Sequence, residues 1–572
     1  MSFRRLESRT LQTSLLIVVV FSVFSSAFVF SVKSSPSSFY NYRFTVDREG
    51  FTNVAINFNS TDAQGDSWIF VPKFSSWNHT ENRPLVSSSM VETNLVTGGS
   101  SQYFYQAFKF HYQAQTNGIF NMTVRFGFSN GALIIEPRGM FYSPLIGFQS
   151  GSTGKADVSF FTSFRVNSDL AFFVGSMGNY QPTQVQSNSL TFSPLPPQEN
   201  MGRIQVEFSI GTSTPQYTTL KSNDNRTFSF KSVTRYQNYT REVLKLYDQI
   251  YSNFTRLFNI TLDNVAVQWF LPDFQTLLTV GGFVPFTGKE LGEININIVF
   301  IRAVNGTVGV IAAHELVHRF IGKTGISPDN FLWFHEGMAQ YISVTTVASL
   351  DYEGAKQEKD NLENSATALI QQLGDDNFSV IELQDWSPSD QPPNVDVAYL
   401  YTAAYYVVSQ LPKIVQQDGL DYYGRFFKLI NGVKVDKINV LALYLSTAAN
   451  ASVALSLQRW GFTVTDLYGS PVSEMIKDAG KTVEGVNPIF QPYKSFAEYF
   501  YQQALLSSEK GDWERAKSLL QLAVTMANLA PLLTFLTIIA LLALLVYILN
   551  RRSKRPKPVV PPLPPEILQP TP

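Results

Sequence analysis

The chain reads as a multidomain protein: a β-rich region, then an α/β unit passing into helices, then one apolar helix near the C-terminus. Three observations carry this. Short alternating apolar runs broken by Gly, Pro, Asn and Ser fill residues 36–230. Helical periodicity takes over from about Tyr236. Leu529–Leu549 is 21 residues without a charge, long enough as a helix to reach across one hydrocarbon core of roughly 30 Å.

Composition bounds the function. The 572 residues hold 44 Lys+Arg against 45 Asp+Glu. The basic surplus with which proteins grip nucleic acid is missing, so nucleic acid is not expected as a partner. Hydrophobic residues are 44% and aromatics 14%, enough for a large core. Charged residues are only 16%, against about 25% in ordinary soluble domains, so the surface leans on Ser, Thr, Asn, Gln and Tyr. Cysteine is absent. Disulfides, thiolate catalysis, Cys-ligated zinc and iron–sulfur clusters are thereby excluded.

The two ends set the expected compartment. Arg4, Arg5 and Arg9 precede an apolar run from Leu15 to about Val32. Residues 1–35 have the layout of an export signal or a signal anchor, with Ser25-Ser26-Ala27 as small residues for cleavage. After the C-terminal run come Arg551, Arg552, Lys554, Arg555 and Lys557, a cluster that stays on the cytoplasmic side. The expectation is a single-pass protein of the cell membrane, with residues 34–528 outside, a span at 529–549, and a basic, Pro-rich cytoplasmic tail at 550–572. Sequons at Asn59, Asn78, Asn121, Asn225, Asn238, Asn253, Asn259, Asn305, Asn377 and Asn450 all fall in the exterior part. N-linked glycans are expected on several. Ten sequons with no cysteine point to an archaeal cell surface.

Within residues 36–230, strands are predicted at Tyr40–Val46, Val54–Phe58, Trp68–Val71, Phe104–Tyr112, Phe120–Phe128, Ala132–Glu136, Val158–Val166, Ala171–Val174 and Ile204–Ile210. Their spacing suggests a β-sandwich or saddle-like domain. It holds His79 and His111 but nothing that looks catalytic. A helix at Tyr239–Phe258 and strands at Val265–Leu271 and Ile294–Ile301 open an α/β unit at 231–350. Helices are predicted at 307–322, 329–347, 354–373, 395–416, 419–430, 437–447 and 450–460, those beyond 351 forming a helical part to 485. Phe496–Ser508 and Asp512–Ala527 make a helical hairpin, a stalk at 486–528 with tetratricopeptide-like spacing.

The chemistry concentrates in Ile311-Ala-Ala-His-Glu-Leu-Val-His-Arg-Phe320. His314 and His318, four apart on a helix, stack on one face where two imidazoles reach one tetrahedral ion. Glu315 is rotated about 100° and addresses a water rather than the ion. A third ligand is needed, and Glu336 follows after seventeen residues, in Leu332-Trp-Phe-His-Glu-Gly-Met-Ala-Gln-Tyr341. Asp329 or Asn330 is placed to cap that second helix. Three of the chain's five histidines lie between 314 and 335. Polar groups in so apolar a helix need a reason to be there.

His-Glu-Leu-Val-His followed by Glu-Gly-Met-Ala-Gln-Tyr resembles the gluzincin metallopeptidases, the aminopeptidase-N-like branch and its shorter relatives. The resemblance implies a thermolysin-like catalytic domain holding Zn2+ through His314, His318 and Glu336, with Glu315 as general base and a peptide or protein as substrate. It also implies a tyrosine that steadies the oxyanion, for which Tyr401 is the best match and Tyr399 the reserve. Two departures stand out. Aminopeptidase-N-like enzymes usually have eighteen residues between the second His and the Glu. They also carry Gly-x-Met-Glu-Asn beside the site, whose Glu holds the substrate's free amine. Here the stretch is Gly281-Gly-Phe-Val-Pro-Phe286, with Val284 in place of that Glu and Glu290 and Glu293 nearby. The strand Ile294–Ile301 is expected to take up an extended peptide at its edge. His335 is either a support for the ligand set or an ordinary core-edge histidine. The reading from another class is a cell-surface glycoprotein that binds or scaffolds on a gluzincin-like fold without peptidase activity.

Overall fold

The computed structural model describes residues 37–553 except 115–117, 197–200, 212–215, 224–226, 278, 288–289 and 374–378. The expected signal or anchor at 1–35, the tail from 554 onward, Asn225 and Asn377 lie outside the described residues. The chain is β-rich in its N-terminal region and helical in its C-terminal part, ending in one long apolar helix. It divides into two compact units, one of 37–216 with Leu271–Leu277, the other of Tyr217–Phe270 with 279–553.

In the first unit, strict alternation puts every second side chain inside. Strand β1 (Ser38–Val46) buries Tyr40, Tyr42, Phe44 and Val46. It pairs antiparallel with β2 (Thr52–Ser60), which buries Val54, Ile56 and Phe58. The further strands are β3 (Gln64–Pro72), β4 (Trp77–Glu81), β5 (Ser87–Glu92), β6 (Tyr105–Gln113), β7 (Phe120–Phe128), β8 (Ala132–Ile135), β9 (Arg138–Tyr142), β10 (Ile146–Gly147), β11 (Thr153–Phe160), β12 (Arg165–Gly175), β13 (Gly178–Tyr180), β14 (Gln184–Gln186), β15 (Ser189–Phe192) and β16 (Met201–Ser209). Three sheets result, ordered β14-β15-β11-β1-β2-β7-β4, β13-β12-β16-β9-β8 and β3-β6-β5. One apolar core draws on all three, with Phe58 ringed by Tyr40, Phe110 and Tyr112 at 5.0, 5.3 and 5.6 Å between centroids.

Two strands, β4 and β5, have no apolar alternation to betray them. Both are polar edge strands, a common way of keeping an edge soluble. The stretch expected as one strand at Val158–Val166 is two, split by a turn in which Phe164 N–H donates to Phe161 C=O at 2.9 Å. Among described sequons, Asn78, Asn238, Asn253, Asn259, Asn305 and Asn450 are exposed. Asn59 and Asn121 are half-buried and hydrogen-bond to each other across β2 and β7.

The second unit begins earlier than the sequence pattern suggests. Strands β17 (Tyr217–Lys221) and β18 (Phe228–Val233) pair not with the preceding strands but with each other, and β18 pairs with β19 (Val265–Phe270). Alternation shows that a strand has a buried face, not which sheet it joins. The sheet order is β17-β18-β19-β23-β20, where β20 is Gly282–Phe283 and β23 is Ile294–Asn297. Between these two lies a hairpin of β21 (Phe286–Thr287) and β22 (Glu290–Leu291). β23 stops short of Ile301 because the Asn297 side chain accepts from Val299 N–H and turns the chain into a 3-10 segment, Ile298–Arg302.

Helix α1 (Gln237–Phe258) lays Val243, Leu244, Tyr247, Ile250, Phe254 and Phe258 inward. It is followed by α2 (Thr307–Ile321), α3 (Pro328–Ala348), α4 (Glu353–Leu373), α5 (Val397–Ile414), α6 (Gly419–Ile430), α7 (Ile438–Ala449), α8 (Ala454–Arg459), α9 (Ser473–Glu484) and α10 (Tyr493–Glu509). The last helix, α11, runs from Trp513 to Ser553 without interruption. It packs antiparallel on α10 after the turn at Lys510–Asp512, and its C-terminal half is long and apolar enough to cross a membrane.

Replacing Phe58 with Ala should cost the first unit about 3–5 kcal/mol, the usual toll for emptying a buried ring site. In denaturant the β-rich transition should move to lower concentration while the helical signal keeps its midpoint.

Candidate metal centre

Helix α2 is held from two sides. Phe320 meets Phe254 at 5.9 Å and Phe258 at 5.0 Å, and the Tyr247 hydroxyl donates to Ala312 C=O at 3.1 Å, fixing α2 to α1. Arg319 donates to the carbonyls of Leu291 and Gly292, the latter at 2.6 Å, tying the helix to the loop after the β21–β22 hairpin. The remaining face carries His314, Glu315 and His318.

Helix α3 presents Glu336 to that face. Its start differs from the expected cap. Asn330 donates its side-chain N–H to Asp436 C=O instead, Ser327 occupies the cap position, and the chain kinks at Phe331 (φ −142°, ψ 45°) before the helix proper. Gly337 allows α5 to come close. A Cβ there would meet Ala404 C=O at 2.5 Å and Val408 Cγ2 at 2.7 Å. Close approach of α5 in turn brings Tyr401 to the site.

Three donor atoms converge. His314 Nε2 and His318 Nε2 lie 3.1 Å apart, and Glu336 Oε2 lies 3.3 Å from the first and 3.5 Å from the second. Ligands about 2.0–2.1 Å from a tetrahedral ion stand roughly 3.3–3.4 Å from one another. The spacing and the two-imidazole, one-carboxylate donor set therefore fit a small divalent cation, and these residues form the one such group found among the described residues.

The electrostatics point the same way. Burial pushes Glu336 up, but the neighbouring His318 and His314 rings more than offset it and hold the carboxyl well below the usual range. Glu315 has no such support. Burial, opposed by His318 and reinforced by Glu336, raises it to about 8. His335 is driven down to about 4 by burial and by His318, so its ring is neutral. Its Nε2 lies 3.0 Å from Ile326 C=O. A carbonyl only accepts, so Nε2 carries the proton, and the buried Nδ1 is left as an acceptor without a partner.

A cavity of about 170 Å³ opens over the three donors, lined by Gly282, Phe283, Val284, His314, Glu315, His318, Pro328, Leu332, His335, Glu336 and Tyr401. His314, Glu315, His318, His335, Glu336, Val284 and Tyr401 all stand at this cavity, while Glu290, Glu293 and Tyr399 do not line it. Tyr399 turns away, its hydroxyl 3.4 Å from Ser379 C=O and from Glu382. Tyr401 is raised far above its ordinary range by burial and by Glu336 and Glu315, so it stays a protonated hydroxyl. The strand at the cavity is also not the expected one. β20 covers β23 and is the sheet's edge, and a Cβ on Gly282 would come within 2.8 Å of Glu315 Oε1. Pro328 and Leu332 were not foreseen; only their nearness to Glu336 in sequence hinted at them. Glu358 on α4 was also missed. It is raised by burial and lowered by Asn361 and His314, which places a further carboxyl in the electrostatic reach of the first ligand.

No protein-family model matches this chain, and no curated protein matches it.

The raised Glu315 carboxyl has a thermodynamic consequence. Its folded value lies above its unfolded value of 4.5, so folding takes up a proton between 4.5 and about 8. Stability is unaffected below that window and is lost as pH rises through it. In chelated protein, Glu315→Gln should therefore be more stable than wild type above about pH 8, with the gap closing toward pH 4.5. Thermal midpoints measured across that range check this.

Proposed function

We propose that the chain is a membrane-tethered zinc metallopeptidase that hydrolyses peptide bonds outside the cell, its second unit being a gluzincin-like catalytic domain. The observation that carries this is the convergence of His314, His318 and Glu336 with a second buried carboxylate, Glu315, standing free of the donor set. A purely structural metal site has no use for that second carboxylate, and neither has a surface glycoprotein that only scaffolds.

His314, His318 and Glu336 would hold zinc, which when bound supplies a Lewis acid and makes a water acidic near neutrality. The chain's own groups do the rest. Glu315, poised to hold a proton near pH 8 in the metal-free site, accepts one from the attacking water and passes it to the leaving nitrogen. The C–O bond forms first, giving a tetrahedral species, and the C–N bond breaks as that species collapses and the nitrogen takes the proton. Tyr401 keeps its hydroxyl hydrogen and donates it to the oxygen of the tetrahedral species. The edge strand β20 offers backbone groups to an extended substrate.

Substrate choice follows from the lining. Val284 stands where an amine-binding Glu is expected, and the acids that line the cavity are Glu315 and Glu336, with Glu358 near His314 but outside that lining. Both are committed to other roles. Recognition then does not require a free N-terminus, and internal bonds are the preferred reading over the aminopeptidase one. The basic cluster that follows α11 in sequence supports a cytoplasmic tail with the catalytic unit outside.

Glu315→Gln should keep the metal and lose about 10²–10⁴-fold in peptide hydrolysis, read on N-blocked and N-free peptides. Cleavage of the free peptides alone would return the reading to an aminopeptidase. His318→Ala should lose the metal in elemental analysis. Tyr401→Phe should retain it and lower kcat by about 10²-fold or more with little change in KM.

A further inference from the structure

Helix α11 is covered along one stripe and then bare. Ala516, Leu520, Ala523, Ala527 and Ala530 are buried, and beyond Ala530 no residue of the helix is. Small residues let α10 lie close against this stripe through Ala497, Tyr501, Ala504 and Leu505. The hairpin does not end where the apolar run begins. The Tyr493 hydroxyl, in the first turn of α10, bonds the Thr537 hydroxyl at 2.6 Å. Thr537 lies eight residues inside the run Leu529–Leu549, roughly 12 Å along the axis at about 1.5 Å per residue.

The chain entering α10 therefore stands level with the run, and its outward face is greasy. Ile489 is 72% exposed, Phe496 48% and Tyr499 57%, with Phe490 and Tyr493 half-exposed beside them. The charges between 486 and 500 are Lys494 and Glu498. Lys494 is buried, its Nζ 3.4 Å from Glu484 C=O and 4.0 Å from Glu498 Oε1. A segment rich in Phe and Tyr, with Lys494 turned inward and Glu498 left as its one half-exposed charge, at this height beside a span matches what the interfacial zone of a bilayer selects.

We propose that Pro488–Tyr499 is a lipid-binding shelf that enters the leaflet on the catalytic unit's side, next to α11. The occupant is lipid rather than a second copy or another protein, because the exposed face is continuous with the lipid-facing surface of the span at Thr537. The second unit is then gripped at two points and does not swing from a single tether. This rests on the reading of α11 as a membrane span.

The absence of cysteine allows clean single-site labelling of the full chain. Environment-sensitive fluorophores would be placed on Ile489→Cys and Phe496→Cys. Leu541→Cys serves as the span reference and Leu455→Cys, exposed on α8, as the aqueous one. The proteins are reconstituted in phosphatidylcholine vesicles carrying shallow or deep spin-labelled lipid. Labels at 489 and 496 should be quenched by shallow spin labels and be several-fold less accessible to iodide than the label at 455. The proposal is overturned if they match the 455 label while 541 is lipid-quenched. It is equally overturned if they are shielded from iodide without lipid quenching, which would mean a protein covers the face. A label at 541 that iodide reaches from the catalytic side would instead overturn the span itself, and the shelf with it.

Discussion

A buried carboxyl, Glu315, and a largely covered one, Glu336, beside the imidazoles of His314 and His318 are the constraint on which the second unit is arranged. Glu336 is made tolerable by the rings of His314 and His318, while Glu315 sits nearby with burial against it and only His318 in its favour. With neutral rings the group carries an uncompensated negative charge in a poorly solvated place, which is costly unless something positive joins it. A divalent cation at the three converging atoms answers both needs at once, neutralising Glu336 and easing ionisation of Glu315. The helices show what it takes to keep such a group together: ring stacking of α1 on Phe320, the Arg319 clasp on the loop after β22, and the bare Gly337 that admits α5.

Much of this was legible because helices such as α1 and α6 have strong periodicity and because four-residue spacing places His314 and His318 on one face without reference to any partner. The donor convergence needed only the further guess that a second helix would cross the first. What was not legible depends on long-range choices. β17 and β18 alternate like the strands before them, yet join the other sheet. Strands β4 and β5 are polar edges whose pairing is set by β7 and β6, not by their own composition. Asn330 reads as a cap but finds Asp436, more than a hundred residues away, and the helix kinks instead. Tyr399 and Tyr401 share a helix and differ by about 200° around its axis, so only the position of α5 decides that Tyr401 enters the cavity.

The β20 edge shows how a single side chain can matter by its absence. Gly282 lies so close to Glu315 that any Cβ would press on the carboxylate. Glycine there leaves the backbone of the edge strand as the nearest wall to the would-be base. A substrate strand laid against β20 would meet main-chain donors and acceptors, which are blind to side-chain identity. On the proposed reading, discrimination would fall to Phe283, Val284, Leu332 and Pro328, all apolar, which would favour apolar flanking residues and cannot neutralise an ammonium group.

The tether proposed for α11 would impose a mechanical requirement of its own. A hinge between stalk and span would let the cavity over the three donors sample every orientation above the membrane. The chain has no such hinge: stalk and span are one helix, α11, with Pro531 inside it but no break in the helical run. The alanine stripe brings α10 within backbone reach of that helix over several turns, so bending near Pro531 would have to strip the Tyr493–Thr537 contact as well. If α11 spans a membrane and the cavity is catalytic, as proposed, rigidity at the exit point would limit what can approach the cavity. Reach would then be set by the length of the α10–α11 hairpin, and loosening that hairpin would alter which substrates are met without touching the donors themselves.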